Sequence, residues 1–271
     1  MKLCIAGKND IAVNALCYLV NTLNCNKNNL FVILNRNDSG IDTWQKSLKK
    51  CAIELGIKIL SLEDAYDIED LYFISLEFDR IIRTSRFKTD KLFNIHFSNL
   101  PSYKGMYTSV MPLLNGEKNG GVTLHKIDDG IDTGEIIKQK FFDIDINDTA
   151  RDLYFKYLNN AFELFKENIE QLLKNNISYE KQSAVNSTYY SKTALDFNNI
   201  NIDLNKTSFE IHNQIRAFIF KEYQLPEING FKIEKSVLTN EFIGRNKFEV
   251  INQTIKLSGI DGYAIFLSIA R

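Results

Sequence analysis

The chain has 271 residues, enough for one or two domains with a full hydrophobic core. Its 33 Lys and Arg against 34 Asp and Glu give a formal net charge of -1, which argues against a protein that coats nucleic acid. With 44% hydrophobic and 25% charged residues global disorder is excluded, and no apolar run approaches the roughly 18 residues of a membrane span.

The start, MKLCIAGKND, reads as a buried strand rather than a signal peptide, so a cytoplasmic protein is expected. The first half then alternates strands and helices. Lys2 to Gly7 is a strand and Asp10 to Thr22 a helix. Leu30 to Asn35 is a strand, followed by a helix around Asp42 to Leu55 and a strand over Ile57 to Leu62. Leu71 to Ser75, Leu92 to Phe97 and Gly121 to Ile127 are further strands. Short apolar strands between helices predict an α/β fold, a parallel sheet covered on both faces. The first strand leads into Gly7-Lys8-Asn9-Asp10 and not into G-x-G-x-x-G, which disfavours a dinucleotide enzyme.

Thr149, with Asp152 three residues on, opens a long helix whose stripe is Leu153, Tyr157, Ala161, Leu164, Phe165 and Leu172. Asn175 to Asn205 is a polar connector, and Ser208 to Phe220 a short helix. The tail reads as strands: FKIEKSVL, KFEVINQT, TIKLSG and GYAIFLSIA, with a hairpin signal at Asp261-Gly262. From Asn201 onward it holds about nine Lys and Arg against eight Asp and Glu, so it is no basic arm for tRNA. Cys4, Cys17, Cys25 and Cys51 have no C-x-x-C spacing, which fits free buried thiols in a reducing compartment rather than a zinc or redox site.

Two segments carry chemistry. One is Asn94-Ile95-His96-Phe97-Ser98-Asn99-Leu100-Pro101-Ser102-Tyr103-Lys104-Gly105. The other is Asp128-Asp129-Gly130-Ile131-Asp132-Thr133-Gly134. Asn94 and His96 are two apart on a strand and share a face. The Asp-rich loop also follows a strand, and it is expected at the same edge of the sheet. An Asn amide can bond a carbonyl oxygen as it becomes an oxyanion. An imidazole can take the proton of an attacking amine, and a carboxylate can orient that imidazole and stabilise its cation. By spacing alone, the same residues also fit a satisfied structural histidine beside a solvated loop. With three His in the chain and no H-x-x-x-H or H-x-x-E spacing, no metal site is expected.

These segments resemble the folate-dependent formyltransferases: Asn-x-His, then Ser-x-Leu-Pro-x-Tyr-x-Gly, then Asp-x-Gly-x-Asp-x-Gly. The likeness covers about the first 175 residues. It implies a Rossmann-like, mostly parallel sheet flanked by helices, with a small C-terminal strand-rich β-hairpin module. It also implies N10-formyltetrahydrofolate as formyl donor and Asn94, His96 and Asp132 as the catalytic set. Within the family, Gly7-Lys8-Asn9, Met106-Tyr107-Thr108-Ser109, His212 to Phe218 and Tyr223-Gln224-Leu225-Pro226 are similar to the sugar N-formyltransferases that act on dTDP-linked amino sugars. Asn99 and Gly120 depart from the usual residues beside the site.

The acceptor implied first is dTDP-4-amino-4,6-dideoxyglucose, for a surface glycan such as O-antigen. A dTDP-3-amino-3,6-dideoxy sugar is the nearest alternative. A formyltetrahydrofolate hydrolase and a silent nucleotide-sugar-binding module are rivals from other classes. The resemblance implies substrate contacts by Lys8, Asn9, Lys104, Tyr107, Ser109, Arg216 and Tyr223, with a structural role open for Arg216 and Tyr223. Folate is expected against Phe78, Asp79, Ile81, Asp128 and Gly130, largely through backbone groups. His125 and His212 are expected to be packing or surface residues. The domains implied are a catalytic domain over 1–180, a connector over 181–205 and a module over 206–271 that forms a homodimer interface. No nucleic acid or membrane partner is expected.

Overall fold

In the computed structural model, which describes residues 1–270, β1 (Lys2–Gly7) leads into α1 (Asn9–Asn21) and β2 (Leu30–Leu34). Then come α2 (Leu48–Leu55), β3 (Lys58–Ile59), α3 (Leu62–Tyr66), β4 (Leu71–Leu76), β5 (Leu92–His96) and β6 (Lys104–Gly105). They are followed by α4 (Met111–Leu114), β7 (Asn119–Lys126), β8 (Ile136–Asp143), α5 (Ala150–Leu173) and β9 (Tyr189–Tyr190). The chain ends with α6 (Ser208–Ala217), β10 (Glu227–Ile228), β11 (Phe231–Phe242), β12 (Phe248–Ile251), β13 (Thr254–Ser258) and β14 (Tyr263–Ile269).

Among the boundaries that differ from the sequence expectation, three have a clear local reason. The helix expected from Asp42 begins at Leu48, because Asp42 accepts from the Ser47 N–H and Asp38 from the Lys49 N–H, which holds the preceding residues as a cap. The strand expected over Ile57 to Leu62 is cut to Lys58–Ile59, because Ser61 and Asp64 form a capping box that starts α3. The strand expected over KFEVINQT stops at Ile251, where Asn252 turns with φ +55°. The strand β8, the short strands β6, β9 and β10 and the short helices α3 and α4 lie outside the sequence expectation.

Contacts divide the chain into two units that interleave in sequence. One holds Met1–Lys104, Gly121–Phe141 and Tyr157–Tyr189; the other holds Gly105–Gly120, Phe142–Lys156 and the chain from Tyr190 onward. The downstream division, between Tyr189 and Tyr190, falls within the stretch 181–205 expected as a connector, and two upstream segments group with the tail.

In the first unit a seven-stranded sheet runs in the order β3-β2-β1-β4-β5-β7-β8. From β3 to β5 every pairing is parallel, whereas β5 and β7 are antiparallel. Strand order reverses at β1, which lies between β2 and β4, so the β1/β4 edge is the topological switch point where open α/β sheets place ligands. Gly7 is required there: a Cβ on it would stand 1.9 Å from the Leu76 carbonyl oxygen. One core cluster joins Cys4, Ala6, Ile33, Leu71, Phe73 and Leu92 of the strands to Leu62, Ala65 and Tyr66 of α3. The expected stripe of α5 is buried throughout. The part of it in this unit stacks Tyr157 on Phe97, with centroids 5.6 Å apart. Of the four cysteines, Cys4 and Cys51 are buried and Cys17 and Cys25 only half-buried.

In the second unit a five-stranded sheet runs in the order β10-β11-β14-β13-β12, antiparallel at each pairing. Ile211, Ile215 and Ile219 pack with Ile233, Ile255, Leu257, Ile265 and Leu267 of that sheet. The hairpin read at Asp261-Gly262 joins β13 to β14, with Gly262 at φ +83°. Asp261 also accepts from the backbone and hydroxyl of Ser208 at the start of α6. His212 is fully buried, and Ser236 Oγ and the Ile146 carbonyl oxygen each lie 2.7 Å from its ring nitrogens. A carbonyl only accepts, so Nε2 carries the hydrogen and Nδ1 accepts from the serine hydroxyl.

Burial pushes the His212 pKa down from 6.5 to about 4. Unfolded, this histidine takes up its proton near 6.5; folded, it stays neutral until about pH 4. The unfolded state therefore binds more protons in that window, and stability is lost as pH falls through it, by about 3 kcal/mol in all. Urea unfolding of wild type and His212→Gln at pH 7.5 and pH 4 is expected to show the wild-type advantage shrinking by that order. An advantage unchanged between the two pH values would contradict a neutral buried His212.

Candidate functional site

The site begins with the register of β5 on β7. Asn94 pairs with His125 and His96 with Thr123, so four polar side chains share one sheet face at adjacent rungs. Thr123 is buried and satisfied: its hydroxyl donates to the Ser98 carbonyl and accepts from Leu100 N and Gln139 Nε2. These bonds fix the loop after β5. That loop continues through Tyr103, at φ +60°, and its carbonyl oxygen turns back onto His96.

His96 is 9% exposed, and its Nε2 stands 2.8 Å from the Tyr103 carbonyl oxygen. A carbonyl has no hydrogen to give, so Nε2 donates and Nδ1 keeps the lone pair. Nδ1 faces Asp132 Oδ2 at 3.6 Å, beyond hydrogen-bond reach but close enough for strong charge interaction. This refines one expectation. The Tyr103 backbone orients the ring and sets its tautomer, and Asp132 supplies a negative charge beside the basic nitrogen.

Burial pushes the His96 pKa below the usual 6.5. The Asp132 carboxylate and the Tyr103 carbonyl oppose that shift, while His125 and Lys104 add to it. The ring is thus neutral at pH 7, with the Nδ1 lone pair free to accept a proton.

Asp132 does not arrive from the same edge as the end of β5. Because β7 runs antiparallel, its last residues lie beside the first residues of β5: Lys126 pairs with Phe93, and the Ile127 N–H donates to the Leu92 carbonyl. The Asp-Gly loop starts at the far edge and folds back over the polar face. Asp132 turns there at φ +55°, and Gln182 Nε2 donates to the carbonyls of Asp132 and Gly134 at 2.8 Å each. Gly134 allows the return: a Cβ on it would stand 1.8 Å from the Lys126 carbonyl oxygen.

The expected folate residues separate into several roles. Asp128 accepts from Gly130 N and Thr133 Oγ1, and Asp129 accepts from Thr84 N and Oγ1, so both carboxylates shape the loop. Phe78 packs against the core under the Arg80 guanidinium. Asp79 accepts from the backbone and side chain of Arg36. Ile81 is 72% exposed. A cleft of about 850 Å³ lies along this loop, walled among others by Thr84, Phe87, Leu92, Asp128, Thr133 and Gln182. That volume lies within the range of small-molecule sites.

Of the expected substrate residues, Lys8 and Asn9 lie half-buried at the switch point, and Asn9 donates to Glu77 beyond β4. Lys104 is buried, donating to Ser187 Oγ at 2.7 Å and the Pro101 carbonyl, and burial lowers its pKa. In the second unit, Tyr107 donates to the Lys192 carbonyl and packs on Phe197, and Ser109 is half-buried in the turn before α4. Tyr223 is 63% exposed beside Phe220.

Arg216 takes the structural role left open for it: it is 2% exposed and donates to Asn213 Oδ1 and to the carbonyls of Asp145 and Asp148. Both departures from the family pattern have a visible setting. Asn99 Oδ1 accepts from Gln139, and a Cβ on Gly120 would stand 2.7 Å from the Phe142 ring.

Sequence reasoning missed two features. His125, expected to be a packing or surface residue, faces Asn94, and the signal is that Thr123 and His125 alternate with Val122 and Leu124, a legible polar face on a buried strand. The Tyr103 carbonyl leaves no trace in sequence. For the site itself, an NMR titration should place the His96 midpoint below 6.5, and Asp132→Asn should lower it further by removing the opposing charge. A wild-type midpoint at or above 6.5, or an upward shift in the variant, would contradict this electrostatic account.

Among the described residues no group of His, Cys, Asp and Glu is placed to hold a metal ion, and no helix is long and apolar enough to cross a membrane. A family model described as formyl transferase matches residues 77–169. The methionyl-tRNA formyltransferase of Clostridium beijerinckii is 30% identical over 233 residues, 80% of this chain and 73% of that one. Among solved structures, the N-formyltransferase of Helicobacter canadensis, crystallised with folinic acid and dTDP-3-aminofucose, is 54% identical across the whole of both chains, with a TM-score of 0.97. WlaRD, a sugar 3N-formyl transferase solved in the presence of dTDP and 5-N-formyl-THF, is also 54% identical with a TM-score of 0.97, over 100% of this chain and 98% of that one. Together with the Asn-x-His strand and the Asp-Gly loop that folds onto it, these matches establish that the chain belongs to the formyltransferase family.

Proposed function

We propose that the enzyme moves a formyl group from N10-formyltetrahydrofolate to the amine of a dTDP-linked 3-amino-3,6-dideoxy sugar of the aminofucose type. The observation that carries this reading is the 54% identity over the full length of the Helicobacter canadensis enzyme, which was crystallised with dTDP-3-aminofucose. It favours the 3-amino acceptor over the 4-amino-4,6-dideoxyglucose expected first.

When bound, the folate donor supplies the formyl carbon. The residues do the rest. His96 Nδ1 takes a proton from the attacking amine, and the imidazolium so formed is stabilised by Asp132 at 3.6 Å. Asn94 Nδ2 donates to the formyl oxygen as charge develops on it. A carbon–nitrogen bond forms to the sugar and the bond to the folate nitrogen breaks. That nitrogen takes up a proton, so the products are a formamide and tetrahydrofolate. Donor contacts are assigned to the backbone of Phe78, Asp79, Ile81, Asp128 and Gly130, which fits a loop whose Asp128 and Asp129 side chains are already engaged by Thr133 and Thr84. Lys8, Asn9, Lys104, Tyr107, Ser109 and Tyr223 are proposed for the nucleotide sugar.

In this reading residues 1–180 carry catalysis in the cytoplasm, the product serves a surface glycan such as O-antigen, and the 206–271 module makes a homodimer. Exposed Phe242, Val250, Ile251 and Tyr263 on its sheet support the last point. Analytical ultracentrifugation should then find a dimer that Ile251→Glu weakens; a wild-type monomer would remove this part.

The reaction is tested by mass spectrometry on dTDP-3-aminofucose and dTDP-4-amino-4,6-dideoxyglucose, each with 10-formyltetrahydrofolate. A gain of one CO is expected on the 3-amino sugar, lost in His96→Asn. A gain on the 4-amino sugar instead would restore the first expectation. Formate release with neither sugar altered would favour the hydrolase.

A further inference from the structure

We infer that His125 is a positioning residue for the oxyanion-binding amide of Asn94. The inference rests on the formyl-transfer reading above and concerns how that amide is aimed.

His125 is 2% exposed, and both ring nitrogens have partners. Nδ1 lies 2.8 Å from the carbonyl oxygen of Lys126, the next residue. The carbonyl only accepts, so Nδ1 carries the hydrogen and Nε2 of the neutral ring is an acceptor. Nε2 lies 3.1 Å from Asn94 Nδ2 and 3.7 Å from Asp132 Oδ1. The amide is therefore the hydrogen-bond partner, and the carboxylate is outside reach. The antiparallel register brings the two side chains together, because Asn94 and His125 are directly opposed.

The amide nitrogen has two hydrogens. One is anchored on His125. The other points toward Asp132 Oδ1 at 3.4 Å, a long contact that an incoming carbonyl oxygen displaces at little cost. His125 thus rules out the flipped amide, which would put Asn94 Oδ1 against the Nε2 lone pair and aim a second acceptor at the formyl oxygen. Donors fixed before the reaction stabilise developing charge without reorganising, which is where their catalytic value lies. A histidine that only filled space would satisfy its nitrogens without depending on which way the Asn94 amide points.

The test is a double-mutant cycle on the full-length enzyme with dTDP-3-aminofucose and 10-formyltetrahydrofolate, using His125→Phe, His125→Gln, Asn94→Ala and the Phe/Ala double variant. Loss of one oxyanion donor lowers kcat about 100- to 1,000-fold, and misaiming it is expected to lower kcat about 10- to 100-fold. His125→Phe should show that drop with both KM values within about twofold. His125→Gln, which offers an acceptor oxygen, should recover most of it. In the Asn94→Ala background His125→Phe should cost less than about threefold. Independent, multiplicative losses would overturn the inference, as would a change in KM with kcat kept.

Nitrogen-15 NMR of the wild-type His125 ring gives a readout that needs neither turnover nor a folded variant. Nδ1 protonated and Nε2 bare at pH 7.5 is expected; the opposite tautomer or an imidazolium overturns it. A wild type that formylates no sugar would count against the proposed function, while the ring tautomer would still decide the role of His125.

Discussion

The antiparallel pairing of β5 with β7 is the constraint on which the site depends. Within a sheet that is otherwise parallel from β3 to β5, this pairing sets Asn94 opposite His125 and His96 opposite Thr123. Four polar side chains on the face of a central sheet would be costly if left unpaired, at about 1–3 kcal/mol for each orphaned group. Here each has a partner, from the Ser98 carbonyl and Gln139 on Thr123 to the Lys126 carbonyl on His125. A polar face satisfied in this way is stiff, and stiffness is what an acid–base site needs.

The same reversal explains how the carboxylate arrives. A loop leaving a parallel strand would rise at the carboxyl edge; this one leaves from the opposite edge and must return across the sheet. Its acidic side chains are largely spent on the return, with Asp128 and Asp129 tying the loop to itself and to Thr84. Gly134 removes the Cβ that would block the crossing, and Gln182 holds the backbone on both sides of Thr133. Asp132 reaches the face as a charge 3.6 Å from His96 Nδ1. The hydrogen bond that aims the ring comes instead from the Tyr103 backbone.

Much of this was legible in the residues and some of it was not. The strands Leu71 to Ser75 and Leu92 to Phe97 were plain because fully buried strands leave unbroken apolar runs. The stripe of α5 was plain because Leu153, Tyr157, Ala161 and Leu164 repeat at helical spacing. Asn94, His96 and Asp132 were marked by spacing and by family pattern. The direction of β7 was not legible, since a short apolar strand reads the same parallel or antiparallel, and with it went the path of the Asp-Gly loop and the meaning of His125. Arg216 was not decidable, because a buried arginine bonded to the carbonyls of Asp145 and Asp148 has the same sequence signature as one that binds phosphate. The β8 strand was missed because Ile136 to Asp143 mixes lysines with apolar residues and follows a glycine-rich turn.

The central claim is that His96 Nδ1 is the base and that Asn94 Nδ2, aimed by His125, is the oxyanion donor. A crystal structure with dTDP-3-aminofucose and the unreactive 5-formyl folate tests it most directly. The account predicts the sugar nitrogen within hydrogen-bond reach of His96 Nδ1, Nε2 still on the Tyr103 carbonyl, and the Asn94 amide nitrogen facing the space between amine and donor. A sugar amine held away from Nδ1, or an Asn94 amide turned with its oxygen toward that space, would contradict it.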